Sequence, residues 1–336
     1  MKKILLLGGS SQQVVAIKTA KQVGCYTILC DYLKDNPGQF VADKFYLTST
    51  TDKNSVLRIA QDERIDAIVA YSSDPAAPTA AYVSEKIGLP GVPYETAKSF
   101  CEKHLFRSFL MKNGFHVPMS QEIDGTSTSD VLEGMRYPII VKPTDSSGSK
   151  GVTVITDATQ FDKARDDAAK YSRNGVLIAE EIIVRDHPHV IEAEIFVVDG
   201  KVSVWGLINS IRDKNTNPLL PAAYSYPISL TPERVELVKK EVSRLVECSH
   251  VSMGAFNIEM IITKENCLYF LDAGPRNGGN MLPEFIGGIK QQDLVMATIL
   301  AALGELEAIR GITLDGQEGG FWGLSVLHSS REGVFE

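Results

Sequence analysis

The sequence predicts an α/β chain: a parallel-sheet domain over residues 1–93, followed by a longer α+β region of antiparallel strands and helices. Three observations carry this reading. Short apolar runs alternate with helical patterns before residue 89, and Leu89-Pro90-Gly91-Val92-Pro93 then breaks that rhythm. Further on, Asp199-Gly200 stands between two apolar runs, a strong two-residue hairpin signal.

Residues 4–7, 27–30 and 67–70 read as buried strands, with helices over 14–23, 55–61 and 78–87 between them. Strands that are apolar throughout, separated by helices, imply a parallel sheet covered on both faces. One helix is expected over 95–113, stopped by Gly114 with Pro118 beyond it. Strands over 137–143 and 151–155 then flank a small polar loop, and further strands follow at 176–180, 192–198 and 202–208. Thr231-Pro232 opens a helix with threonine as its cap and proline in its first turn. Val235, Val238, Val242, Leu245 and Val246 form one stripe along it. Strands over 255–262 and 268–272 are expected to pair around Glu265-Asn266, and helices near 292–303 close the region. The stretch 209–227 carries few helix or strand signals and reads as a connection or a substrate-contacting loop.

A net charge of -8 without a basic block argues against nucleic acid or an anionic membrane as partner. No apolar run approaches a membrane span, and the run at 4–7 is too short for a signal sequence. The five cysteines are odd in number and lack CxxC spacing, so they read as reduced thiols of a cytoplasmic protein.

Two constellations carry chemistry. In residues 138–152, Lys142 ends a strand and is followed by Ser146, Ser147, Gly148, Ser149 and Gly151, a loop of little side-chain bulk. Its backbone amides can fold over phosphate oxygens, with Lys142 supplying a positive charge. The order GxxxxGK[ST] is absent and no helix follows, so this is not a Walker A loop. The bland reading is a flexible hairpin loop beside a surface lysine. In the second constellation, a two-residue turn at Glu265-Asn266 puts Glu259 opposite Asp272 on one face of the sheet. Like charges so placed call for a cation, and oxygen ligands with room for water and phosphate suit Mg²⁺. The bland alternatives are a register one residue off, or a pair splayed into water. Arg276, Asn277 and Asn280 keep that end of the hairpin polar. Between the two, residues 177–183 can present backbone groups to an adenine edge.

Taken in order, IIVKPTDSSGSKGV, LIAEEII, FNIEM and LDAGPRNGGN resemble the ATP-grasp superfamily, and the resemblance covers nearly the whole chain. It is closest to the branch of formate-dependent phosphoribosylglycinamide transformylase, biotin carboxylase and carbamoyl-phosphate synthase. It implies a Rossmann-like pre-ATP-grasp domain over 1–93, a small lobe with a linker helix over 94–175, a large lobe over 176–310, and the start of a C-terminal region over 311–336. By that resemblance Lys103, Lys142 and the 146–151 loop grip the phosphates, and Glu180, Glu181 and Ile183 belong to the adenine hinge. Glu192 or Glu194 would hold the ribose, and Glu259 and Asp272 the Mg²⁺, with Mn²⁺ as a substitute. Arg276 would face the reacting phosphoryl group and, with Gly8, Gly9, Ser10 and Asn280, meet the substrate.

The implied activity is that of an ATP-dependent ligase, carbamoyl-phosphate synthase-like, acting through an acyl phosphate on small-molecule carboxylates and amines. Exposed helices in the first domain leave room for a homodimer. The family pattern Glu-x-Asn-Pro-Arg reads Asp272-Ala273-Gly274-Pro275-Arg276 here, so the usual asparagine is missing unless Asn257, Asn277 or Asn280 replaces it. A nucleotide-binding protein without turnover is the alternative that Gly274 favours. A nicotinamide-dependent dehydrogenase is disfavoured because Gln12 and Gln13 stand where the GxGxxG pattern needs glycine.

Overall fold

The computed structural model describes residues 1–146, 148–213, 219–312 and 319–327. The first domain contains β1 (Lys3–Leu7), α1 (Val14–Gln22), β2 (Tyr26–Asp31), β3 (Lys44–Leu47), α2 (Lys53–Glu63), β4 (Ala67–Val69) and α3 (Ala77–Ile87). Its strands are parallel in the order β3-β2-β1-β4. Alternate residues of β1 enter opposite cores: Ile4 and Leu6 meet Ile17 and Ala20, while Leu5 and Leu7 meet Val56 and Val83. That is the two-sided burial its continuous apolar run requires. The edge strand β3, KFYL, escapes sequence reading because none of its residues is fully buried.

The helix expected over 95–113 is two helices, α4 (Tyr94–Cys101) and α5 (Lys103–Lys112). Glu102 between them is extended, with φ −112° and ψ 111°. The cause is tertiary: the Lys103 amide donates to Thr144 O at 2.9 Å rather than to the preceding turn.

β5 (Ser120–Ile123), β6 (Ile139–Pro143), β7 (Thr153–Ile155), α6 (Phe161–Ala169) and β8 (Leu177–Glu181) build the small lobe. Its antiparallel sheet runs β5-β8-β6-β7, so β8 pairs here although a boundary at 175 would place it with the next lobe. β5, Ser-Gln-Glu-Ile, carries too little apolar pattern to announce itself.

The large lobe is β9 (Val190–Val198), β10 (Lys201–Arg212), β11 (Pro221–Tyr226), α7 (Pro232–Ser249), β12 (Met253–Ile262), β13 (Leu268–Gly274), α8 (Leu282–Lys290), α9 (Leu294–Ala302), α10 (Leu306–Ile312) and β14 (Trp322–Ser325). Its sheet order is β13-β12-β9-β10-β11-β14. Asp199 (φ 52°) and Gly200 (φ 73°) form the β9–β10 turn, both in the left-handed region that such a turn demands. β11 falls in the stretch 209–227 that the sequence leaves without clear signals. One face of the sheet packs on α7 with Phe100, Phe106 and Leu110 of α4 and α5, and the other packs on α8 and α9. Val295 and Ile299 of α9 also enter the first domain's core, fastening that domain to the large lobe. Among the described residues, no helix is long and apolar enough to cross a membrane.

Candidate active site

A cleft of about 390 Å³ lies between the two antiparallel sheets. Its apolar end is formed by Ile140, Val152 and Val154 of the small lobe, with Ile183, Ile261 and Leu271 opposite. Its other end carries Lys103, Arg107, Lys142, Arg212, Glu259 and Asp272. An aromatic base suits the first environment, and phosphates with a cation suit the second.

Register explains the cationic end. Ile140 of β6 pairs with Glu180 of β8, so Lys142, two residues along, points to the same face as Glu180. Lys142 and Glu180 form a close ion pair, and Arg107 donates through Nε to Glu180 Oε1 at 2.6 Å. All three side chains are buried. Burial works against ionisation of Glu180, yet the Arg107 and Lys142 cations hold its carboxyl down at about 2. Burial pulls Lys142 below the ordinary lysine value, with Glu180 opposing that shift. One carboxylate against two cations leaves a local surplus of one positive charge.

Arg107 also joins the lobes, donating to Phe270 O at 3.2 Å and Leu271 O at 2.8 Å. Leu271 is available because the β12–β13 register skips there: Glu259 pairs with Asp272, but Met260 pairs with Phe270. The turn is one residue longer than Glu265-Asn266 alone. Thr263 N donates to Cys267 O, Asn266 N donates to Thr263 O, and Asn266 takes φ 58°. The bulge at Leu271 restores the alignment, so Glu259 and Asp272 stand directly opposite each other.

Glu192 of β9 pairs with Glu259 on the other side, extending the row to three carboxylates across three strands. Arg212 donates to Glu259 at 2.7 Å, and Lys103 reaches Asp272 at 3.5 Å. Burial first, then the Glu259 charge, pushes Glu192 up to about 7, and its Oε2 is buried without a hydrogen-bond partner. Among the described residues, no three His, Cys, Asp or Glu side chains are gathered as a ready-made metal cage. Two opposed carboxylates that leave further positions to water and phosphate are a donor set that fits Mg²⁺.

The remaining sequence-selected residues are placed as follows. Lys103 is at the start of α5 with Nζ 3.3 Å from Ser146 O, and Gly148 and Ser149 line the cleft, while Ser147 lies outside the described residues. Gly151 takes φ 71°, and a Cβ there would meet Tyr171 at 2.9 Å, so glycine is required on both counts. Glu181 lines the cleft, but its carboxylate turns to Arg136 at 2.9 Å. Glu192 and Glu194 are on β9 and do not themselves line the cleft, although Glu192 stands beside the cleft-lining Glu259. Glu194 instead accepts from Gly278 N at 2.9 Å and, buried, is pushed up to about 8.

Gly8, Gly9 and Ser10 form a turn in which Gly9 N donates to Asp31 at 2.7 Å and Ser10 N to Gln13 at 3.0 Å. Asn280 reaches the same region by donating its backbone N–H to Gln12 Oε1 at 3.0 Å. Arg276 is held by Asp74 of the first domain, with Nε 2.6 Å from Oδ1. Sequence reading missed Arg107 and Asp74, and it placed Arg212 only within the stretch 209–227 read as a connection or a substrate-contacting loop. Arg107 carried a usable signal, since it lies four residues after Lys103 on one helix face; Asp74 had none.

Residues 135–284 match the family model described as ATP-grasp domain. The chain is 25% identical over 244 residues to the carbamoyl phosphate synthase large chain of Thermotoga neapolitana, a match covering 70% of this chain and 21% of that protein. It is 24% identical over 288 residues to formate-dependent phosphoribosylglycinamide formyltransferase of Sulfurisphaera tokodaii, covering 82% and 70%. The chain thus spans about a fifth of the length of the first of these relatives. Its fold is that of phosphoribosylglycinamide synthetase from Anaerococcus prevotii, with TM-score 0.74, 20% identity, and 95% and 79% of the two chains covered. An L-amino acid ligase from Bacillus licheniformis is similar in fold at TM-score 0.75, with 21% identity and coverage of 90% and 74%.

Proposed function

We propose that this chain, whose residues 135–284 match an ATP-grasp domain, is an ATP-dependent ligase that activates a small-molecule carboxylate and passes it to an amine. The observation that carries the reading is the pairing of a net-positive buried cluster, Lys142–Glu180–Arg107, with the in-register carboxylates Glu259 and Asp272 in one cleft that also has apolar walls at Ile140, Val154 and Ile261. Adenine would lie between Ile140 and Leu271, and the phosphates would run toward Lys103 and Lys142. Glu259 and Asp272 would hold the Mg²⁺, which neutralises phosphate charge when bound.

A substrate carboxylate oxygen forms a bond to the γ-phosphorus as the bridging P–O bond to ADP breaks, and ADP keeps that electron pair. The amine then attacks the acyl carbon of the acyl phosphate, expelling phosphate and releasing a proton. Lys103 and Lys142 stabilise the charge that moves onto the departing ADP. Relatives named for formate-dependent formyl transfer, amino-acid ligation and carbamoyl phosphate synthesis support carboxylate activation as the common step. A carbamoyl-phosphate-like reaction starting from bicarbonate is one form of it.

The test is ADP and phosphate release from MgATP by wild type and Lys142→Ala, with pools of bicarbonate, formate, amino acids and amines. Release that depends on one carboxylate pool and is lost in the variant is the expected result. Tight MgATP binding with no release under any mixture would instead mark a nucleotide-binding protein without turnover.

A further inference from the structure

The position usually filled by asparagine is Gly274, and its backbone does not explain why. It lies in β13 paired with Asn257, and its φ is not among the positive values that favour glycine. Space does explain it. A Cβ at Gly274 would stand 2.6 Å from Asp74 Oδ1 and 3.0 Å from Arg276 Nε. The aspartate occupying that volume comes from the first domain, 200 residues earlier.

Asp74 is not a chance neighbour. Arg276 Nε and Nη2 both lie 2.6 Å from its Oδ1, a charge-assisted pair that is largely buried on the arginine side. The turn bearing it is docked independently: Ser72, in the left-handed region at φ 51°, donates its hydroxyl to Gly278 O at 2.6 Å. Asp74 also lines a second cavity of about 190 Å³ that shares Lys103, Ser146 and Asp272 with the nucleotide cleft. The aspartate therefore pairs with Arg276 and lines a cavity that adjoins the cleft at Lys103, Ser146 and Asp272.

We propose that Asp74 is a positioning residue that takes the volume vacated at Gly274 and holds the Arg276 guanidinium toward the terminal phosphate of the nucleotide, making that contact depend on the docking of the first domain. This rests on the ligase reading, and specifically on Arg276 facing the reacting phosphoryl group. An ion pair that only fastened two domains would stabilise the fold without distinguishing ATP from ADP. A pair that aims Arg276 must distinguish them, because only ATP offers the terminal phosphate.

The experiment is calorimetric titration of full-length wild type, Asp74→Asn, Asp74→Ala, Gly274→Asn and the double variant Asp74→Ala/Gly274→Asn with MgATP and with MgADP. Thermal melts check that each is folded, and Asp74→Asn keeps the side-chain size should the alanine variant fail to fold. The expected result is an about ten-fold loss of MgATP affinity in each single variant, with MgADP affinity changed less than about two-fold. Asparagine restored at 274 where Asp74 has been removed should bind MgATP more tightly than either single variant. Losses shared equally by both nucleotides, no loss, or a double variant no better than Asp74→Ala would overturn the inference while leaving the ligase reading in place. A folded wild type that binds neither nucleotide would remove both.

Discussion

Two charged clusters face each other across the cleft, and they are balanced differently. In the Lys142–Glu180–Arg107 cluster, cations outnumber the carboxylate and every group has a partner at close range. In the row Glu192–Glu259–Asp272, carboxylates outnumber the cations that reach them, and one buried oxygen has no partner at all. The first cluster is complete as a structure and offers surplus positive charge to an anion. The second is incomplete, and its acidity becomes favourable only when a cation joins it. The same sheet-pairing geometry builds both, so the difference lies in which side chains the register brings together.

The largest expected effect comes from breaking the complete cluster. Glu180→Leu leaves Arg107 and Lys142 buried without their carboxylate and should cost about 3–5 kcal/mol of folding stability in urea unfolding. Unchanged stability would mean the cluster is solvated and the contrast is false. Next is Lys142→Ala, which removes a charged hydrogen-bond donor. MgATP binding, read by titration, should weaken by about 1.5–3 kcal/mol, roughly ten- to a hundred-fold.

On the acidic side, Asp272→Asn should weaken Mn²⁺ binding in the presence of ADP about ten-fold, read by electron paramagnetic resonance, while fold stability stays level or rises. Equal Mn²⁺ affinity in variant and wild type would show that the row does not serve a metal. The last effect is spread over pH as a slope. Glu194, beside this row on β9, is raised by burial to about 8, above its unfolded value. Between the two values the folded state holds a proton that the unfolded state has lost, so stability falls as pH rises through that window and levels off above it. Glu194 contributes at most about 1.4 kcal/mol per pH unit to that slope, Glu192 adds to it in the same direction up to about 7, and Glu194→Gln should reduce it in a series of unfolding curves.

The legible parts of the site share a property. Lys142 and its small-residue loop are contiguous in sequence, and Glu259 and Asp272 are joined by one short hairpin. Their alignment was legible although the turn is longer than expected, because the bulge at Leu271 restores the register. What escaped reading depends on long separations. The break at Glu102 exists because Thr144 captures the Lys103 amide, and no local propensity at 102 signals it. Arg212 reaches Glu259 from a strand whose neighbours, 209–227, gave no periodic pattern.

The sequence by itself determined the α/β character, the order of the elements it signals, the Asp199-Gly200 turn and the small-residue loop that follows Lys142. These follow from side-chain periodicity and turn chemistry, which act within a few residues. Only the tertiary structure decided that β8 joins the small lobe, that Glu180 collects two cations, and that Asp74 fills the space above Gly274. Those outcomes rest on steric exclusion and charge pairing between segments far apart in the chain, where neither volume nor field is visible until the backbone has placed them together.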